Sequence, residues 1–226
     1  MRKPLVIGIC GGSGSGKTAI ANALFKYYKG TSLILNQDFY YKDLSSMSFT
    51  SRCKQNFDHP DSIDFELLFL QLSKLLSGNK VEIPQYDYTK HVRRKKTLCV
   101  ETSRIIILDG TLIFSRLELV ELIDIKIFID SPDAKRLKFR QRRDVLERGR
   151  TIDSINEQYS KTVRPMYDKF VYPSKKYANI IINDPKTLDT YNQKRNRENF
   201  SLNLNHESNY WNFRYWSFVR HCLFTF

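Results

Sequence analysis

The chain has 226 residues, 41% of them hydrophobic and 27% charged, with 37 Lys and Arg against 24 Asp and Glu for a net charge of +13. That is enough apolar material for a core of ordinary domain size, which excludes a chain disordered throughout. Cys10, Cys53, Cys99 and Cys222 show no paired spacing, so neither a zinc knuckle nor a disulfide framework is written here, and a reducing, cytoplasmic setting is expected. The leading apolar run is too short for a signal-peptide core or a membrane span.

In chain order, Leu5 to Cys10 reads as a buried parallel strand. It runs into Gly11, Gly12, Ser13, Gly14, Ser15, Gly16, Lys17 and Thr18, a G-x-x-x-x-G-K-[ST] loop, and then an Ala/Leu helix. Glycines let successive N–H groups turn toward a polyphosphate, the helix N-terminus adds its positive end, Lys17 reaches the outer phosphates, and the Thr18 hydroxyl is placed to ligate Mg²⁺. Ser32 to Leu35 is a second strand, and Asp38 follows it at the sheet edge, where a carboxylate can take a proton from an attacking hydroxyl. Lys80 to Val100 looks like an antiparallel hairpin, with the basic run Lys90 to Lys96 at its far side. Arg104 to Leu108 is a third strand, ended by Asp109 where an acidic residue faces a metal beside the loop. Ile123 to Ile129 and Ala178 to Ile182 complete a parallel sheet of five strands covered by helices, an α/β P-loop fold.

Between the last two strands, Ala134 to Arg150 holds eight basic and two acidic residues. Arg136, Arg140 and Arg143 fall at i, i+4 and i+7, so they project from one helical face and call for an anionic partner. From about residue 186 the composition changes: the last 41 residues carry seven Asn, ten aromatics including Trp211 and Trp216, and no Ala. The expected organisation is a P-loop α/β domain over 1–185, with a hairpin insertion at about 80–101 and an Arg-rich lid at about 132–150, then an atypical tail over 186–226.

These segments together resemble the uridine (uridine-cytidine) kinase family of P-loop kinases, from about Pro4 to Ile182. Besides the phosphate loop, the resemblance rests on Gln37-Asp38-Phe39-Tyr40-Tyr41-Lys42-Asp43, Asn56-Phe57-Asp58-His59-Pro60-Asp61, Ile83-Pro84-Gln85-Tyr86-Asp87-Tyr88 and His91. It continues through Arg143-Asp144, Glu147-Arg148-Gly149-Arg150, Val163-Arg164-Pro165-Met166 and the run from Pro173 to Ala178.

The resemblance implies ATP and Mg²⁺ acting with a pyrimidine ribonucleoside, giving UMP or CMP in pyrimidine salvage. It implies Asp38 as general base toward the 5′-hydroxyl, Asp58 with Arg140 on the ribose hydroxyls, and Tyr86 and His91 at the exocyclic position of the base. Tyr41, Phe57 and Tyr88 become aromatic walls, Arg150 and Gln158 further contacts, and Arg143 and Arg148 closers on the ATP phosphates, with Thr18 and Asp109 toward the metal. The chain departs from the family in three places: Asp109 stands where a Glu is usual, Asn183-Asp184-Pro185 replaces Pro-Arg-Gly, and the tail replaces an amphipathic helix. The family's tetramer is therefore not carried over, and a homo-oligomer stays open. Arg93, Arg94, Lys95 and Lys96 have no assigned role and read as a solvated surface. Two alternatives remain, a phosphoribulokinase-like kinase for a phosphorylated sugar and a catalytically weakened P-loop protein that binds RNA. No nucleic acid is expected on the main reading, because aromatics do not interleave the basic lid.

Overall fold

The computed structural model describes residues 3–183 and 200–202. The first half comprises β1 (Leu5–Gly11), α1 (Lys17–Tyr27), β2 (Ser32–Asn36), α2 (Phe49–Cys53), α3 (Phe65–Leu76) and four short strands. Those four are β3 (Val81–Ile83), β4 (Tyr86–Asp87), β5 (Val92–Arg93) and β6 (Leu98–Val100). The second half comprises β7 (Ile105–Asp109), α4 (Leu117–Leu122), β8 (Ile125–Asp130), α5 (Asp133–Arg148), α6 (Ile152–Gln158), β9 (Ile180–Asn183) and β10 (Phe200–Leu202).

Strands β9, β8, β1, β7 and β2 lie side by side in that order, all parallel. Their ends fall within two residues of those the apolar runs predict. An addition to the five-stranded expectation is β10, which pairs antiparallel with β9 at the sheet edge. Alternation along each strand feeds two separate cores, as expected for a sheet buried on both faces. Ile7, Ile9, Ile105 and Ile107 meet Ile20, Ala21 and Leu24 of α1 on one side. Val6, Cys10, Ile106 and Leu108 face the other side, with Leu68, Leu72 and Leu75 of α3. The three leucines recur at i, i+4 and i+7 and are fully buried, each contributing about 1.5–3 kcal/mol of burial free energy.

The expected single hairpin is bent into two ladders, β3 with β6 and β4 with β5. Pro84 sits between them, and a proline cannot donate to a continuous ladder. Beyond α6 the helix runs on through two wide turns, Tyr159–Val163 and Tyr167–Val171, each closed by an N–H that reaches back five residues to the tyrosine carbonyl. Pro165 and Pro173 each follow one wide turn by two residues. A proline inside an α-helix clashes with the carbonyl four residues back, and the widened turn relieves that clash. Among the described residues, no helix is long and apolar enough to cross a membrane. Trp211, Trp216 and the rest of the aromatic tail lie outside the described residues, as do Asp184 and Pro185.

Candidate active site

The carboxyl ends of β1, β7 and β2 open into a cleft of about 410 Å³. Helix α1 starts there with no side-chain cap, so its first N–H groups are free for a phosphate. Gly14 has φ +77°, and a Cβ on it would lie 2.2 Å from the Arg136 carbonyl oxygen, so the loop rests directly on the first turn of α5. Lys17 Nζ donates to the Gly12 carbonyl at 3.0 Å, folded back over its own loop. Burial lowers the Lys17 pKa, and the Asp109 and Asp38 carboxylates oppose that shift.

Thr18 Oγ1 donates to Asp109 Oδ2 at 2.8 Å. The other carboxylate oxygen, Asp109 Oδ1, is buried with no hydrogen-bond partner among the described residues. Burial raises the Asp109 pKa, against the Lys17 charge and the Thr18 hydrogen bond. An unused carboxylate oxygen beside a hydroxyl is a hard-oxygen donor set that fits Mg²⁺ shared with substrate phosphates. The shorter Asp side chain thus still meets Thr18 directly.

Asp38 is held by its backbone: its N–H donates to Asn36 Oδ1 at 2.8 Å, capping the turn Gln37–Tyr40. The neighbouring Gln37 accepts the Leu112 N–H at 2.7 Å, and a Cβ on Gly110 would lie 2.5 Å from the Gln37 side chain. The loop bearing Asp109 and the turn bearing Asp38 are therefore locked together.

At the other end of the cleft the walls are aromatic. Phe57 stacks on His91 with centroids 4.9 Å apart, and Tyr41 lies edge-on to Phe57 at 5.4 Å and tilted to Tyr86 at 5.1 Å. Tyr88 meets Tyr86 edge-on, and the Arg148 guanidinium lies 4.9 Å from the Tyr88 centroid. His91 has φ +54°, a left-handed conformation in the turn that Asp87 shapes by accepting from the N–H groups of Thr89 and Lys90. Burial, then the charges of Arg150, Arg52 and Arg148, lowers the His91 pKa, so the neutral ring is favoured. Burial raises the pKa of Tyr41, Tyr86 and Tyr88, which stay neutral phenols. Asp58 also lines the cleft, its N–H donating to Asn56 Oδ1 at 3.1 Å and its Oδ2 accepting from Thr162 at 3.2 Å. Burial raises its pKa, opposed by the Arg140 charge.

The two ends are joined by arginines. Arg140 donates to Ser13 Oγ on the phosphate loop at 2.8 Å and to Gln158 Oε1 at 2.8 Å, and Gln158 also accepts from Arg150. The anion that the arginine face calls for is Asp144, fully buried among Arg140, Arg143, Arg148 and Arg150. Arg136 does not share it: the chain turns Arg136 to Asp133 at 2.7 Å and lays it 3.6 Å over the Tyr167 ring.

Sequence reasoning missed Asp144 as an organising residue, although its i+4 position from Arg140 signals it, and missed Thr162, which carries no signal before Gln158 one turn earlier is placed. The basic hairpin is corrected at one residue. Arg93 is no solvated side chain: it donates to the Tyr41 and Tyr40 carbonyls at 2.7 and 3.2 Å and to Asp64 Oδ2 at 3.1 Å. Three acceptors converge where β5 crosses the Tyr40 turn and the start of α3, and only a long cation on β5 reaches them all.

Residues 6–191 match the model of the Phosphoribulokinase / Uridine kinase family. A uridine kinase of Bacillus mycoides is 51% identical over 181 residues, covering 80% of this chain and 85% of the relative, and a uridine kinase of Bacillus cereus matches to the same extent. Among solved structures, D-glycerate 3-kinase from Cryptococcus neoformans superposes with a TM-score of 0.58 at 18% identity, over 81% of this chain and 87% of that one. Phosphoribulokinase from Rhodobacter spheroides gives 0.58 at 12% identity, over 80% and 70%. The parallel sheet and its phosphate loop are the fold these kinases have in common, and the chain belongs to the phosphoribulokinase / uridine kinase family.

Proposed function

We propose that this chain transfers the γ-phosphoryl group of ATP, with Mg²⁺, to the 5′-hydroxyl of uridine or cytidine, as a cytoplasmic pyrimidine-salvage kinase. The observation that carries the reading is that Asp38 stands in one cleft between the phosphate loop and an aromatic pocket holding Asp58 and His91. Uridine kinases half identical to the chain support the same substrate class.

On this reading the nucleoside base lies between Tyr41, Phe57, Tyr88 and His91, where neutral phenols and a neutral imidazole can donate to a carbonyl or accept from an amino group. That versatility suits uracil and cytosine alike. Asp58, held by Thr162 with the Arg140 charge opposing the effect of its burial, accepts from the ribose hydroxyls and selects a riboside. Asp38 then takes the 5′-hydroxyl proton while the 5′-oxygen attacks the γ-phosphorus. Lys17, Arg143 and Arg148 neutralise charge on the transferring group, work that is chiefly positional and electrostatic. Thr18 and Asp109 are the residues that would hold Mg²⁺, which when bound neutralises the β- and γ-phosphate oxygens. A phosphorylated sugar would need cations where Tyr86, Tyr88 and His91 offer an uncharged, aromatic pocket.

The test is ADP release from Mg·ATP with uridine, cytidine, adenosine and ribulose 5-phosphate in parallel. Turnover is expected with the two pyrimidine ribosides only, and Asp38→Asn is expected to lower kcat by about 10²-fold or more, the contribution of a positioned base. Turnover with ribulose 5-phosphate, or a mutant within a few fold of wild type, would overturn the substrate or the base assignment respectively.

A further inference from the structure

Asp144 is wholly inside the protein, and its two oxygens serve two different sets of arginines. Oδ1 accepts from Arg143 Nε and pairs with Arg143 Nη2, both at 2.8 Å, and lies 3.5 Å from Arg148 Nη1. Both of those guanidinium groups are the ones read above as closing on the ATP phosphates, and Arg148 also lies against the Tyr88 ring. Oδ2 faces Arg140 Nε at 3.5 Å and Arg150 Nη1 at 3.8 Å, the two arginines that share Gln158 at the nucleoside end. Neither Oδ2 nor Arg140 Nε makes a hydrogen bond, although both are buried and they face each other. A buried donor and acceptor left apart in this way carry a desolvation cost that a small shift would remove.

We infer that Asp144 is a positioning residue that couples the two substrate sites. ATP phosphates and Oδ1 compete for Arg143 and Arg148, since each guanidinium fork can serve either anion. When phosphates draw those two arginines away, the carboxylate is left with Arg140 and Arg150 alone and closes its unmade contact to Arg140. That fixes the arginine which also touches Ser13 of the phosphate loop and Gln158 of the nucleoside wall. ATP binding therefore prepares the nucleoside site, and by linkage the nucleoside tightens ATP to the same extent.

The inference rests on the proposed kinase reading, and titration calorimetry separates the two. Uridine is titrated into the protein alone and into the protein saturated with Mg²⁺ and a non-hydrolysable ATP analogue. Failure of uridine to bind even with the analogue present overturns the kinase reading. With both binding, the analogue is expected to tighten uridine at least about fivefold, the lower end of ordinary coupling. An affinity ratio at or below one overturns the inference whatever happens to activity. In Asp144→Asn, which keeps the shape and loses the charge, the ratio is expected to fall to about one, and an unchanged ratio with reduced turnover would make Asp144 merely structural. Should that variant not fold, Arg148→Lys serves instead: a lysine keeps the charge but has no fork to exchange between phosphate and carboxylate. Its ratio must fall, and a wild-type ratio there also overturns the inference.

Discussion

Residues 134–150 and residues 90–96 are both strongly basic runs, and the fold treats them in opposite ways. In α5 and just past its end the charge is turned inward: Arg136 and Arg140 are buried, and Arg143, Arg148 and Arg150 gather on a single interior carboxylate. In the hairpin, Arg94, Lys95 and Lys96 face solvent, and only Arg93 is drawn in. A basic run becomes a site where the elements around it supply both a buried anion and a cleft; without them it remains a surface.

The contrast is broken most severely by removing a cation from the inward set. Arg143→Gln is expected to cost about 10²–10³ in kcat, the usual loss when one preorganised donor to a developing charge is removed, read by steady-state kinetics at saturating ATP. Arg93→Met comes next, on stability instead of chemistry. It strips charged hydrogen bonds from two carbonyls and Asp64, worth about 1.5–3 kcal/mol, and urea unfolding measures the loss.

A pH profile sharpens the comparison further. Burial and neighbouring cations depress the His91 pKa, so the neutral ring persists below the ordinary value of about 6.5 and is lost only at lower pH. The acid limb of kcat/KM for uridine is accordingly expected below that value, and to change position in His91→Gln. If the limb sits at or above 6.5 in both proteins, His91 does not hold the base as a neutral partner. The smallest effect belongs to Lys95→Gln with Lys96→Gln. Surface changes of this kind stay within about 0.5 kcal/mol, and turnover is expected to match wild type.

The phosphate loop and the five parallel strands were legible in the sequence because each is a local pattern: glycine spacing, a short apolar run, a helix start. The aromatic walls and Asp58 were legible through resemblance only, since a lone Phe57 or Tyr88 looks like core. What escaped was whatever depends on distant elements meeting. Arg93 and Arg94 are the same letter side by side, and it takes the placing of Tyr40, Tyr41 and Asp64 to separate them. Asp144 sits in a run of arginines as one more solvated charge would, until the helix face is buried. Thr162 reaches Asp58 across 104 positions of chain. The pairing of β10 with β9 joins segments between which no local pattern continues.

The wide turns after α6 bear on how the chain tolerates changes of length. Each residue advances a helix by about 100°, and each wide turn accommodates one residue more than a regular turn would. Deleting a residue between 159 and 163 would close the wide turn to a regular one and leave the helix after it in register, with the proline now numbered 165 set against an ordinary turn. Tyr167 and Val171 would keep the core positions they fill, and the cost would fall on the proline, whose ring meets the carbonyl four residues back in a regular turn. Each wide turn thus absorbs its extra residue locally, and it is the proline two residues on that gives the widening its use.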